Sequence, residues 1–213
     1  KSFHKSMGKI LAEKEAEDFL EKNGFPVVER KTAKTGEDAI KAAKSIGFPV
    51  VLKISSGKIL HKTESGGVAA DLRNEQEIAE ALKKMPKASD AEFLVQKFVK
   101  GIELLAGLKK DATFGHVLLF GSGGIYTEIL KDTSKRILPA GEKDIEKMID
   151  ETRASKLLAA RNRNIPRKKI VDVLRRLAKL AEKHPEIEEL DINPLIINEK
   201  ECVVADARIV FGD

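Results

Sequence analysis

The run Pro49-Val50-Val51-Leu52-Lys53-Ile54 opens straight into Ser55-Ser56-Gly57-Lys58-Ile59-Leu60-His61-Lys62-Thr63-Glu64-Ser65-Gly66-Gly67-Val68. A short apolar run bounded by turn residues is a buried strand. The loop after it combines glycine-rich ends with two lysines and a histidine. Hydrogen-bond donors, positive charge and backbone that can approach closely are what phosphate handling requires. An ordinary surface loop can have the same composition, so the rest of the chain has to decide between the two.

The core has to rest on Val, Ile, Leu and Ala, because only 5% of the 213 residues are aromatic and Trp is absent. The net charge of +5 suits an anionic ligand such as a nucleotide. It does not favour nucleic acid, because Glu and Asp are interspersed with the cations throughout. The densest basic run, Arg161 to Lys169, has no aromatic residue and reads as a solvated helix entry. A single cysteine, Cys202, leaves no internal disulfide and no cysteine metal cluster, and points to a reducing, cytoplasmic setting. No apolar run reaches the length of a membrane span and no secretory signal is visible, so no membrane association is expected.

The order of elements is mixed. Residues 9–23 read as an amphipathic helix closed by Gly24, with a short strand at Phe25 to Val28. Thr35 with Asp38 starts a helix that ends at Gly47. Asn74 with Glu77 starts another after the alternating strand Val68 to Leu72. Ala88-Ser89-Asp90 reads as a hinge. Strands follow at Phe93 to Val99, Ile102 to Leu108 and His116 to Phe120, then the glycine loop Gly121-Ser122-Gly123-Gly124 and strands at Ile125 to Leu130 and Lys135 to Leu138. Residues 142–160 and 168–184 are helical by period. Ile192 to Ile197 and Val203 to Ala207 close the chain as a hairpin turning at Asn198 to Glu201. The expected class is α+β (mixed α/β), in two lobes: residues 1–90, with the loop 55–68, and residues 91–213.

Several residues carry candidate chemistry, each beside a plainer reading. Lys53 is either an edge lysine reaching to solvent or a phosphate clamp. Gln96 and Glu103 lie seven residues apart across the Gly101 turn. They are either solvent-facing or at a cleft rim, where the backbone of Gln96, Lys97 and Phe98 reads an adenine edge and Glu103 accepts from a ribose. The glycine loop fits neither the dinucleotide nor the P-loop pattern. Glu128 and Asp132 follow it, and Arg136 could face phosphate. Asn193 and Asp206, on adjacent antiparallel strands, could flank one Mg²⁺, which takes oxygen ligands and shares substrate phosphates; an Asn-Pro strand end and a surface ion pair explain them equally well. His61 is either a loop histidine or a phosphorus nucleophile, as neutral imidazole can be.

Together, three stretches resemble the ATP-grasp portion of the ADP-forming acyl-CoA synthetases, close to the separate β subunit of ADP-forming acetate–CoA ligase. They are Leu60 to Val68, Phe120 to Glu128 and Glu189 to Leu195, in order and at suitable spacing. The resemblance runs from about Leu11 to Phe211 and implies an ATP-grasp fold with ATP or ADP held between two lobes. It implies that Lys53 binds phosphate with help from the Gly66 and Gly67 amides; Glu128 and Arg136 stand beside these as candidate nucleotide-binding residues. It implies that Gln96, Lys97 and Phe98 bind adenine, that Glu103 binds ribose, and that Asn193 and Asp206 bind Mg²⁺. His61 resembles the family's second phosphohistidine, carried on a swinging loop. CoA and a first phosphorylated histidine belong, in the family, to an α subunit, so an α₂β₂ assembly is implied. The stretch Ala159 to Asn164 departs from the family's Gly-x-Arg-Gly element. The rivals are another ATP-grasp carboxylate ligase, similar to succinyl-CoA synthetase, and a non-enzymatic nucleotide- or nucleic-acid-binding module.

Overall fold

Thr35 and Asn74 act as helix caps. The Thr35 hydroxyl accepts from the Asp38 amide at 3.1 Å, and the Asn74 carboxamide accepts from the Glu77 amide at 2.9 Å. The computed structural model describes residues 8–55, 66–87, 92–124, 132–159 and 164–212. In chain order its elements are β1 (Ile10–Leu11), α1 (Glu13–Lys22), β2 (Arg30–Ala33), α2 (Gly36–Ile46), β3 (Val50–Ser55), β4 (Val68–Leu72) and α3 (Glu75–Lys84). After these come β5 (Glu92–Lys97), β6 (Ile102–Asp111), β7 (Gly115–Ser122), β8 (Thr133–Ile137), α4 (Glu142–Asp150) and α5 (Ala154–Ala159). The chain closes with α6 (Arg167–Lys183), β9 (Ile187–Ile197), β10 (Cys202–Val204) and β11 (Ala207–Phe211). No helix among the described residues is long and apolar enough to cross a membrane.

The chain divides into two units, residues 28–99 and residues 1–27 with 100–213. The division expected at residue 90 is therefore displaced at both ends. β5 hydrogen-bonds to β2 and β3 and belongs with the first of these units. β1 pairs with β11, Ile10 opposite Val210, which draws the N-terminal segment into the other. That pairing also corrects the helix expected from residue 9, since α1 begins only at Glu13. The expected hinge at Ala88-Ser89-Asp90 lies outside the described residues.

Residues 28–99 form a four-stranded antiparallel sheet, order β2-β5-β3-β4, with α2 and α3 on one face. Directly paired residues of antiparallel strands share a face. Leu52 and Val95 pair and pack with Ala39, Ala43 and Ile78 against the helices. Lys53, Leu94 and Gln96 lie one step out of phase and occupy the opposite face. β4 is an edge strand broken by a bulge, where Ala70 and Asp71 together oppose Val51, and Asp71 has φ of 57°.

The other unit is built on a seven-stranded antiparallel sheet ordered β1-β11-β9-β6-β7-β8, with β10 on β9. α6 covers one face through Ile170, Val173, Leu174, Leu177 and Leu180, all buried at helical spacing. Burying each such side chain is worth about 1.5–3 kcal/mol. The helix expected over 142–160 is two helices. Asp132 causes the break: its carboxylate accepts from the Arg153 and Ala154 amides at 2.8 and 3.2 Å and starts α5 afresh. The strand expected over 203–207 is likewise two, β10 and β11, parted at Ala205 and Asp206.

Candidate functional site

The candidate residues fall in both units and are taken unit by unit. In residues 28–99, Lys53 is only 7% exposed and Gln96 only 1%. Val51 pairs with Gln96 and Lys53 with Leu94, so the ammonium and the carboxamide share the face turned away from α2 and α3. A sheet face that buries Lys and Gln among Val and Leu is unusual, because polar groups at that depth need partners. A cation there is well suited to an anionic ligand. Gly66 has φ of 74°, a left-handed conformation that favours glycine, and Gly67 accepts from the Ile54 amide at 2.8 Å.

The backbone of Gln96 to Phe98, expected to read an adenine edge, is partly engaged within this unit. The Lys97 ammonium does not join Lys53 and Gln96. The period of two turns it to the helix face, where it donates to the Gly47 carbonyl at 2.8 Å and pins the α2–β3 corner. The Lys97 and Phe98 amides donate to the Glu29 and Pro49 carbonyls, at 2.8 and 3.0 Å. The donor side of any base-reading edge therefore falls to the chain after Phe98.

In the larger unit the glycine loop meets the C-terminal strands. The Gly124 amide donates to the Asn193 carboxamide oxygen at 2.9 Å, and the Asn193 amide donates to the Asp206 carbonyl at 3.2 Å. β9 makes this possible by slipping register. Its inward residues are Leu190 and Ile192, then Leu195 and Ile197, so an extra residue bulges at Asn193 and Pro194. Bulges of this kind re-aim side chains beside active sites. Glu103 follows the Gly101 turn on β6, and its carbonyl accepts from the Gly123 amide at 3.0 Å. Its carboxylate lies over Gly124, where φ is 67° and an added β-carbon would come within 2.1 Å of Oε2. Glu103, Gly124 and Asn193 are thus one cluster, with the Asp206 main chain bonded to it.

Asn193 and Asp206 suit Mg²⁺. One carboxylate and one amide oxygen form a hard-oxygen donor pair, and the amide oxygen keeps a second lone pair beyond the one Gly124 uses. Among the described residues no three His, Cys, Asp or Glu side chains gather into a metal-binding group. Mg²⁺ shared with phosphates and water needs only such a pair. Asp191, two residues before Asn193, was not singled out by sequence reasoning. It pairs with Arg208 and Gly107, and burial, then Glu189, raises its carboxyl above the usual range against the pull of Arg208. The Asp-x-Asn spacing is the signal that could have found it.

Arg136 is placed differently from expectation. It pairs with Leu118 and so points to the helix-covered face. There its guanidinium holds Glu151 through contacts of 2.6 and 3.0 Å, and reaches the Ser134 hydroxyl at 3.1 Å. It is a tie between β8 and the end of α4. Arg136, then the Ser134 hydroxyl, hold the Glu151 carboxyl down at about 2, against 4.5 for the free group. A carboxylate depressed in the fold stabilises it fully above its unfolded value, and that contribution is lost as pH falls through the folded value. Thermal unfolding followed between pH 5 and pH 2 should therefore show wild type losing stability more steeply than Glu151→Gln, with the gap closing at the acid end. Parallel acid limbs would remove this tie from the fold's acid sensitivity. Glu128 and His61 lie outside the described residues.

Two sheet-and-helix units bearing a buried lysine face and a Glu–Gly–Asn–Asp cluster fit a nucleotide-handling protein of the ATP-grasp class, and the family model for the ATP-grasp domain matches residues 2–211. The chain is 36% identical over 218 residues to the β subunit of acetate–CoA ligase (ADP-forming) I of Pyrococcus furiosus, covering 97% of this chain and 94% of that one. It is 39% identical to acetate–CoA ligase (ADP-forming) II of Archaeoglobus fulgidus, covering 96% of this chain but spanning only 31% of that protein's length. Among solved structures it is similar to the dinucleotide forming acetyl-coenzyme A synthetase 1 of Ca. Korarchaeum cryptofilum in complex with coenzyme A and Ca-AMPCP: 39% identity, TM-score 0.86, 95% and 93% of the two chains covered. A second structure of that protein, with Mg-AMPPCP, has its phosphohistidine segment pointing towards the nucleotide binding site; identity is 38%, TM-score 0.81, and coverage again 95% and 93%. The chain belongs to the ATP-grasp family of ADP-forming acetate–CoA ligase β subunits.

Proposed function

We propose that this chain is the nucleotide-handling portion of an ADP-forming acyl-CoA synthetase that makes ATP from acyl-CoA, ADP and phosphate together with a CoA-binding partner. The observation that carries the reading is the junction at which Gly124 bonds Asn193 and Asn193 bonds Asp206, with the Glu103 carboxylate over the same glycine. It brings the Asn193 amide oxygen and the Glu103 carboxylate to one place with the Asp206 main chain alongside, which supports a Mg²⁺ and ribose site there. The nucleotide and divalent ion in the Korarchaeum complexes support it. The partner carries the acyl site in an assembly of two α and two β chains in the cytoplasm.

In the proposed reaction, phosphate displaces CoA from the acyl carbon at the partner's site. The acyl phosphate passes its phosphoryl group to a partner histidine and releases the carboxylate. The neutral His61 nitrogen attacks that phosphorus as the bond to the partner imidazole breaks. A β-phosphate oxygen of ADP then attacks it in turn, forming ATP and restoring the free imidazole. Phosphoryl transfer asks chiefly for alignment and charge neutralisation. Lys53 supplies fixed positive charge from a buried position that excludes competing water, and Gly66 and Gly67 permit close backbone approach. Glu103 orients the nucleoside, and Asn193 with Asp206 would hold Mg²⁺, which when bound neutralises phosphate charge. The phosphohistidine segment seen directed at the nucleotide site in the Korarchaeum protein supports a carrier role for the loop bearing His61.

The direct test mixes the chain with a CoA-binding subunit and measures ATP formed from acetyl-CoA, ADP and phosphate. ATP is expected only when both proteins are present. ATP-dependent ligation of a carboxylate by this chain alone, with no CoA requirement, would instead make it a free-standing ATP-grasp ligase.

A further inference from the structure

A groove of about 540 Å³ lies between the C-terminal end of α1 and the outer side of α6, both in the larger unit. Its lining includes Lys22, Arg175, Arg176, Lys179 and Lys183, with Asp172 as the one acid. Five cations to one acid stands out in a chain whose Lys and Arg total 39 against 34 Asp and Glu. The spacing is built into α6: Asp172, Arg176, Lys179 and Lys183 follow at four, three and four residues, one stripe about 16 Å long on the side opposite Ile170, Val173 and Leu177.

Part of this charge serves the fold. Arg176 lies beside Gly24, just past the last turn of α1, where a cation offsets the negative helix end. Lys183 donates to the Asn23 carboxamide at 3.0 Å, and Arg175 pairs with Glu142 at 2.9 Å. Among the described residues, Lys22, Arg176 and Lys179 form no ion pair. Asp172, one turn before Arg176, is the one acid set against these cations in the groove lining, so positive charge is in excess there.

We infer that this groove is the docking surface for an acidic face of the CoA-binding partner, an inference that rests on the function proposed above. Three observations favour a polypeptide over a nucleic acid. The groove has no aromatic side chain on which a base could stack. Asp172 sits within it, which suits a partner presenting a few cations among carboxylates and disfavours a continuous phosphate backbone. The floor is Leu180, which is 3% exposed, and the lysine stems beside it offer apolar contact to side chains. Complementary charge of this kind governs association rate and register between subunits.

The test measures association of this chain with a separate CoA-binding subunit by sedimentation, at 0.05 and 0.3 M salt. Arg176→Glu with Lys179→Glu is expected to raise Kd by about 50-fold or more at low salt and to flatten the salt dependence. Arg176→Lys with Lys179→Arg should retain wild-type affinity, as should Lys41→Glu on α2. Unchanged far-UV dichroism and unchanged Mg-ADP binding in the double variant separate a docking defect from misfolding. Arg176→Gln with Lys179→Gln gives a smaller loss of the same sign if the glutamates prevent folding. Wild-type affinity in the charge-reversed protein overturns the groove assignment and leaves the proposed function intact. Loss of duplex DNA oligonucleotide binding with subunit association preserved overturns it in favour of a nucleic-acid surface. Absence of any association by the wild type removes the two-part ligase reading, and this inference with it.

Discussion

His61→Ala should abolish ATP synthesis from acetyl-CoA, ADP and phosphate, by at least about 10⁴-fold, while leaving Mg-ADP binding near wild type. The size follows from its role. A side chain that carries the phosphoryl group covalently is a required station, and removing a nucleophile typically costs several orders of magnitude in turnover. Nucleotide affinity should survive, because Lys53, Glu103, Asn193 and Asp206 belong to elements that do not depend on an imidazole. Incubation with labelled ATP should place acid-labile, base-stable phosphate on the wild-type chain and none on the variant. Full activity in the variant would mean that the phosphoryl group reaches ADP by another route.

Asp206→Ala should weaken Mg²⁺-dependent nucleotide binding and lower turnover by about 10²–10³-fold, the usual cost of removing one charge-stabilising group from a transfer site. The substitution leaves the fold in place for a specific reason. The bond from the Asn193 amide ends on the Asp206 main-chain carbonyl, so truncating the side chain does not undo the bulge. Calorimetric titration with ADP, with and without Mg²⁺, separates the effects. The magnesium-dependent gain should vanish while affinity for free ADP is retained or improved. Retention of the full gain would move the ion away from the C-terminal strands.

What was legible in the sequence was local. Caps at Thr35 and Asn74 located α2 and α3, and the helical spacing of α6 located its buried stripe. β2 was not legible, because Arg30, Lys31 and Thr32 give no apolar alternation; that strand exists through its pairing with β5. The sequence put Asn193 beside Asp206, and their main chains do bond, although Asp206 lies between β10 and β11 and not on a strand. The face taken by Arg136 was not legible, because which face a strand residue takes depends on register with strands far away in sequence. The break after Asp150 depends on Asp132, which no helical period reveals. Asp191 was overlooked because its setting comes from burial and from Glu189, not from spacing alone.

The chain order of the two units bears on how the protein is made. Residues 28–99 are continuous and hold their own core, so this part can close once β5 has emerged. The other unit cannot, because β1 at Ile10 and Leu11 waits for β11 at Ile209 and Val210, almost two hundred residues later. Contacts of such sequence separation form late. During synthesis the nascent chain would carry one finished unit while Leu11, Leu20 and Phe25 remain exposed until β11 has emerged. The slow step for this unit is thus the pairing of β1 with β11, and it is where a chaperone would be most useful.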